Sequence, residues 1–207
     1  MTYRTEQEAF WAGQFGDEYR ERCSLEPELV AARTACMARM LRKAAPVKSA
    51  FEIGCNIGLN LVAMNRVSPG TGLEAIEINA ESAAQARKLG VAKVETGSIL
   101  EYTPPRSYDL TLICGVLIHL DPEVLPQVYD VLFNASNRHI LLFEYYNPTP
   151  VEVTYRGHQA RLFKRDFAGE MLDRFKGKLA LKDYGFFYHR DPISWSDDGT
   201  WFLLEKG

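Results

Sequence analysis

The run EYYNPTPVEVTYRGHQARLFKRDF, from Glu144 to Phe167, directly follows the apolar stretch HILLF. It sets Tyr145, Tyr146, Asn147, Tyr155, Arg156 and His158 just past what reads as a buried strand. Ordinary turns draw on Gly, Pro, Asn, Asp and Ser instead. Aromatic faces stabilise a nearby positive charge by ~0.5–2 kcal/mol per contact, most where water is excluded. Arginine's planar fork grips a carboxylate through parallel hydrogen bonds. Histidine titrates near neutrality and can take up a proton. These types together suit a water-poor site that holds a cation and a polar second reactant. His119, closing GVLIHL, is a second candidate base beside His158. Each has an ordinary alternative: a structural His119, an exposed loop His158, and an Arg156 paired with Glu144 or Glu152. Tyr145 and Tyr146 alternate faces on a strand, so one is expected in the site and the other in the core.

A second constellation lies upstream. The strand-like SAFEIG (49–54) leads into Cys55, Asn56, Ile57 and Gly58. Gly54 can turn sharply, and Gly58 lets the next helix approach a ligand closely. Glu77 ends the second strand, within GLEAIEI (72–78), 19 residues after Gly58. An acid near that offset can accept hydrogen bonds from the hydroxyls of a ribose. A dinucleotide needs Gly-x-Gly-x-x-Gly, so that backbone amides reach a pyrophosphate. Cys55 and Asn56 crowd that path. S-adenosylmethionine (SAM) carries no pyrophosphate, and it is the expected cofactor. A lone Gly-x-x-x-Gly is a weak signal. The strand before it, the helix after it and the acid on the next strand strengthen it.

The elements that must position these residues alternate. LNLVAMNR (59–66) is helical and GLEAIEI (72–78) is a strand. AESAAQARKLG (80–90) is a helix with Asn79 as N-cap and Gly90 just past its end. AKVETG is a strand, and so is YDLTLICG (108–115), which has no polar face; DPEVLPQVYDVLFNAS is a helix capped by Asp121; RHILLFEYY is another buried strand. Such alternation predicts an α/β protein with a mostly parallel, doubly wound sheet. LALKDYGFFYH and TWFLLEK, joined by DPISWSDDG, predict a C-terminal antiparallel hairpin at the sheet edge. Trp11, Phe15 and Tyr19 share one helical face, weakened by Gly13 and Gly16. Helices over 1–46 are expected to form an N-terminal lid. Residues 47–207 form the cofactor domain, with 144–165 as a substrate loop.

Among 207 residues, 46% are hydrophobic and the net charge is −3. That is one domain with a full core and no basic stripe for nucleic acid. The four cysteines show no zinc spacing, so no metal is expected and a reduced cytoplasmic setting fits. The polar opening predicts no secretory leader, and no apolar run is long enough for a membrane span. Oligomeric state is not legible.

FEIGCNIGLN, IEIN, TGSIL and YDLTLICGVLIHLDPEVL resemble the successive motifs of class I SAM-dependent methyltransferases, over about residues 48–145. The resemblance implies a Rossmann-like fold. It implies Glu52, Gly54, Asn56 and Gly58 around the methionine part of SAM, and Glu77 on the ribose. Ile78 would lie against the adenine, with Ser98 and Ile99 near its edge. Many relatives carry Asp where Ser98 stands. Cys55, Asn79, Gly115 and Val116 complete the expected cofactor contacts, with Trp11 and Tyr19 from the lid. More narrowly, EAFWAGQFGDEY, GVLIHL, EYYNPTPVEVTYRGH, LFKRDFAGE and WFLLEK resemble the pseudaminic acid biosynthesis-associated methylases. They equally resemble SAM-cyclising azetidine-2-carboxylate synthases. The first resemblance implies methyl transfer to oxygen or nitrogen of a small polar metabolite, such as a nonulosonic acid. The second implies cyclisation of SAM alone, with release of 5′-methylthioadenosine. A non-catalytic SAM-binding module is the third alternative.

Overall fold

The structure is a computed structural model, and it describes residues 3–193 and 197–207. Part of the predicted hairpin turn, Ser194 to Ser196, lies outside the described residues. Five strands, β1 (Ser49–Ile53), β2 (Gly72–Glu77), β3 (Lys93–Thr96), β4 (Tyr108–Cys114) and β5 (Ser136–Glu144), are joined through helices except between β3 and β4, where a loop connects them. Two-residue strands β6 (Val151–Glu152) and β7 (Phe163–Lys164) pair with each other beyond them. The chain ends in β8 (Leu179–Phe187) and β9 (Gly199–Lys206). The main sheet runs β3-β2-β1-β4-β5-β9-β8. Strands β1 to β5 are parallel, and β9 lies antiparallel between β5 and β8. The predicted parallel sheet with an antiparallel edge is the sheet observed.

Helices cover both faces because the central strands are apolar on both. Helices α3 (Pro27–Leu41), α4 (Leu59–Val67) and α5 (Ala80–Lys88) share one core with Leu110, Leu112, Leu141 and Phe143. Helices α6 (Leu125–Ala135) and α7 (Phe167–Arg174) share the other with Ile113, Ile140 and Leu142. The period-2 alternation along β4 and β5 divides the two cores. Each fully buried Leu, Ile or Phe contributes about 1.5–3 kcal/mol. Caps set the helix starts: the side chains of Asn79 and Asp166 accept from the N–H groups of Ser82 and Gly169. The segment predicted as one helix from Asp121 opens as a 3-10 turn, Pro122–Val124, before α6. Among the described residues no helix is long and apolar enough to cross a membrane.

The N-terminal prediction needs two corrections. The helix expected over residues 5–20 breaks at Gly13 into α1 (Glu6–Ala12) and α2 (Gln14–Arg22). The aromatic face survives the break: Trp11 sits 5.3 Å from both Phe15 and Tyr19 by ring centroid. The corner needs glycine at position 16, where a Cβ would lie 1.9 Å from the Trp11 carbonyl oxygen. Nor does α3 belong to a lid. Its Cys36, Met37 and Met40 are fully buried in the main core. Helices α1 and α2 lie over the carboxyl ends of the strands, and α3 reaches that end with Leu29 and Arg33.

Candidate active site

Beneath that roof lies a cavity of about 640 Å³. Its floor is built from the ends of β1, β2, β4 and β5, where ligands bind in open α/β sheets. Gly54, Cys55 and Asn56 line it after β1, and Glu77, Ile78 and Asn79 after β2. Ser98 and Ile99 line it after β3, and Gly115, Val116 and His119 after β4. Trp11 and Tyr19 close it from above.

Three backbone donors of the first loop are already engaged. Gly54 N–H donates to Ile76 O (2.8 Å) and Gly58 N–H to Cys55 O (2.9 Å). Asn56 N–H donates to Glu77 Oε2 at 2.7 Å. The loop is tight: Gly54, Asn56 and Gly58 all have positive φ. At Gly54 a Cβ would also meet Val116 Cγ2 at 2.5 Å. A phosphate cradle needs amides that point outward, and these three do not. The buried Glu77 carboxylate accepts a second backbone N–H, that of Asn79, at 2.8 Å. Burial still holds it above the usual carboxylate value, against those donors.

Two predicted residues support the loop from below. Gly58 caps α4 and packs against Leu89 and Ala86 rather than lining the cavity. Glu52 is buried outside the lining, with one oxygen on Asn60 Nδ2 (2.7 Å) and the other without a partner. Burial lifts its carboxyl to about 8.

Glu144, the last residue of β5, builds the other wall. Its carboxylate accepts the N–H groups of Val116 and Leu117, both at 3.0 Å. These bonds shape the 3-10 turn Leu117–His119. Burial raises Glu144 to about 8 as well. His119 is buried at the end of that turn, with Nδ1 2.6 Å from the Arg161 carbonyl oxygen. That contact makes Nδ1 the protonated nitrogen and leaves Nε2 as the acceptor. Burial pulls the imidazole down to about 4. In a ¹⁵N NMR titration, His119 is expected to keep its neutral-form signals down to about pH 5; a midpoint near 6.5 contradicts its burial.

Stability should carry the same signature. Glu52 and Glu144 hold protons in the folded state that the unfolded chain releases above about 4.5. They penalise folding increasingly as pH rises to about 8. His119 acts oppositely, but only below about 6.5. Between pH 6.5 and 8 the carboxyls act without it, so the melting temperature of the ligand-free chain is expected to fall by a few degrees. Glu52→Gln should flatten that slope.

Tyr145, Tyr155 and Arg156 from the predicted substrate loop line the cavity. The rings of Trp11 and Tyr155 lie 4.6 and 4.9 Å from His119. Asn147 and His158 do not reach the cavity. Asn147 turns its amide back on Thr149 O at 2.6 Å. Tyr155 and His158 exchange backbone hydrogen bonds across a turn in which Arg156 and Gly157 have positive φ. That tight turn sets His158 on the outside, against Phe10 (5.0 Å) and Phe15 (5.5 Å). Tyr146 is not in the core either: β5 has ended, and its ring is 42% exposed near Phe202. The Arg156 alternative also fails, because Glu144 is engaged by backbone and Glu152 accepts Ala160 N–H (2.6 Å).

Among the site residues that sequence reasoning missed are Glu144, Glu8 and Arg33. Glu144 carried a signal, an acid ending an apolar strand. Glu8 carried one too, since it completes the Thr5–Glu8 capping box of α1, but a cap explains it locally. Arg33 of α3, which lines the cavity over the Phe143 ring at 5.5 Å, carried none. Among the described residues no group of three or more His, Cys, Asp or Glu could hold a metal ion.

The fold is the Rossmann-like methyltransferase fold. The chain superposes on mitomycin 7-O-methyltransferase with a TM-score of 0.70 at 16% identity, covering 98% of this chain and 61% of that one. It superposes on magnesium protoporphyrin IX methyltransferase from Synechocystis PCC 6803, a structure with bound SAM, at 0.70 and 11% identity, covering 100% of both chains. With the plantazolicin methyltransferase in complex with SAH the TM-score is 0.67 at 15% identity, over 97% of this chain and 94% of that one. No protein-family model and no curated protein matches the chain.

Proposed function

We propose that the cavity binds SAM and that the chain transfers its methyl group to oxygen or nitrogen of a small polar metabolite. The observation that carries this is the junction of Glu77 with the first loop. A buried carboxylate stands at the end of β2, beside amides already spent, so the site favours a nucleoside over a pyrophosphate. Glu77 accepts the ribose hydroxyls. Gly54, Cys55 and Asn56 pass beside the methionine chain, with Glu52 and Gly58 holding the loop from below. Arg33 supplies positive charge for the amino-acid carboxylate. Ile78, Ile99 and Val116 flank the base, and Asn79 and Gly115 complete the contacts.

SAM needs no further activation, only alignment and exclusion of water. Trp11, Tyr19, Tyr145 and Tyr155 supply faces for the sulfonium. The acceptor's lone pair attacks the methyl carbon as the carbon–sulfur bond breaks, and sulfur keeps the electron pair. Arg156 holds an acid group of the acceptor. His119 Nε2 takes the proton of a hydroxyl acceptor; an amine arrives neutral. The three methyltransferases on which the chain superposes, two of them with SAM or SAH bound, favour the same chemistry.

One observation favours the second alternative, cyclisation of SAM by attack of its own amine on the γ-carbon. Asn147 and His158, the loop groups expected to meet a second reactant, lie outside the cavity, while aromatic rings remain inside. Incubation of the purified chain with SAM, with and without candidate hydroxy acids and amines, separates the alternatives by mass spectrometry. S-adenosylhomocysteine formed only with an acceptor is the expected result. Methylthioadenosine released from SAM alone establishes cyclisation. Tight binding with neither product leaves a SAM-binding module.

A further inference from the structure

We infer that Glu8, a residue of the roof, reads the base end of the cleft by accepting the exocyclic amino group of adenine. It rests on the cofactor proposed above. With the methionine chain beside the loop after β1 and the ribose at Glu77 on β2, as proposed above, the base would fall next along, over the Gly97–Leu100 loop after β3. Ile78, Ile99 and Leu120 make that end apolar. Ser98 stands there, and its hydroxyl is already committed. It donates to Glu8 Oε1 and accepts Leu100 N–H at 3.0 Å.

Glu8 is only 4% exposed and lines the cavity. Its Oε2 accepts Arg4 N–H (2.9 Å) and Thr5 N–H (3.1 Å). Oε1 accepts from Ser98 alone, which leaves it a free acceptor position. An ionised carboxylate can only accept, so it selects an amino group over a carbonyl oxygen at C6 of a purine. The other acids of the cavity are placed elsewhere: Glu77 at the ribose, Glu144 on the turn after β4, and Asp197 beside Tyr145. Gln7 turns its amide nitrogen to Ala160 O (3.2 Å). Because Glu8 belongs to α1, recognition of the base and closure of the roof become one event.

The test compares binding of S-adenosylhomocysteine and S-inosylhomocysteine, in which a C6 carbonyl replaces the amino group. The full chain is used, as wild type, Glu8→Gln and Ser98→Ala, by calorimetry. Glutamine preserves the capping box, so α1 stays formed; it turns a donor toward the base. The wild type is expected to prefer the adenosyl compound by about tenfold or more. Glu8→Gln should erase or reverse that preference, and Ser98→Ala should keep it. An unchanged preference in Glu8→Gln, an equal loss for both compounds, or a preference erased by Ser98→Ala overturns the inference and leaves the SAM assignment standing. A wild type that binds neither compound removes both.

Discussion

Replacing Glu77 with alanine is expected to lower affinity for S-adenosylhomocysteine by about two orders of magnitude, measured by calorimetry at a temperature where the variant is folded. The carboxylate has two tasks. It would hold the ribose, and it accepts the backbone N–H groups of Asn56 and Asn79. Leaving a buried donor without a partner costs about 1–3 kcal/mol. Two such losses should lower the melting temperature by roughly 5–15 °C for a domain of this size. Glu77→Gln keeps the volume and one oxygen but sets an amide NH₂ against a donor, so an intermediate loss in both readouts follows. Wild-type affinity in a folded Glu77→Ala protein would remove Glu77 from the site.

The second large effect is expected from Gly16→Ala. The added methyl falls 1.9 Å from the Trp11 carbonyl oxygen and 2.9 Å from Asn79 Nδ2. The first is backbone and cannot swing away, so α1 and α2 must separate. The conflict costs about 1–3 kcal/mol, and it falls on the roof and its contact with Asn79. Helix α3 and the sheet should keep their circular dichroism and most of their thermal stability. Ligand affinity should drop about tenfold or more as Trp11, Tyr19 and Glu8 are displaced. Proteolysis between α1 and α2 should quicken. Unchanged affinity together with unchanged cleavage contradicts the close packing of the corner.

Most of the sheet was legible because both periodicities were clean. YDLTLICG has no polar face and HILLF none either, which dictates strands covered on both sides. The caps at Asn79 and Asp121 were equally plain. The break at Gly13 was hidden, because Trp11, Phe15 and Tyr19 keep helical spacing across it and still cluster. The part of α3 was hidden for another reason: an amphipathic helix carries no mark of which surface receives its face. In the site, the glycines were readable because backbone geometry demands them locally, and Glu77 from its offset after them, while Glu144, an equal strand-end acid, was passed over. His158 was misplaced because the turn at Arg156 and Gly157 passed unread, and a tight turn redirects every side chain near it; Asn147 was misplaced because its amide folds back locally on Thr149. Arg33 reaches the cavity only through tertiary packing, which no local pattern encodes.

The side chain of Asn79 has a consequence for turnover. Its oxygen caps α5 at Ser82 N–H (2.8 Å), while its nitrogen reaches Asp17 Oδ1 (2.9 Å) and Trp11 O (3.4 Å) in the roof. The two halves of one amide thus serve two bodies. When the roof lifts, only the nitrogen's contacts are exchanged for water, and the helix start keeps its bond. Displacement of α1 and α2 would therefore open the cavity while leaving the start of α5 intact.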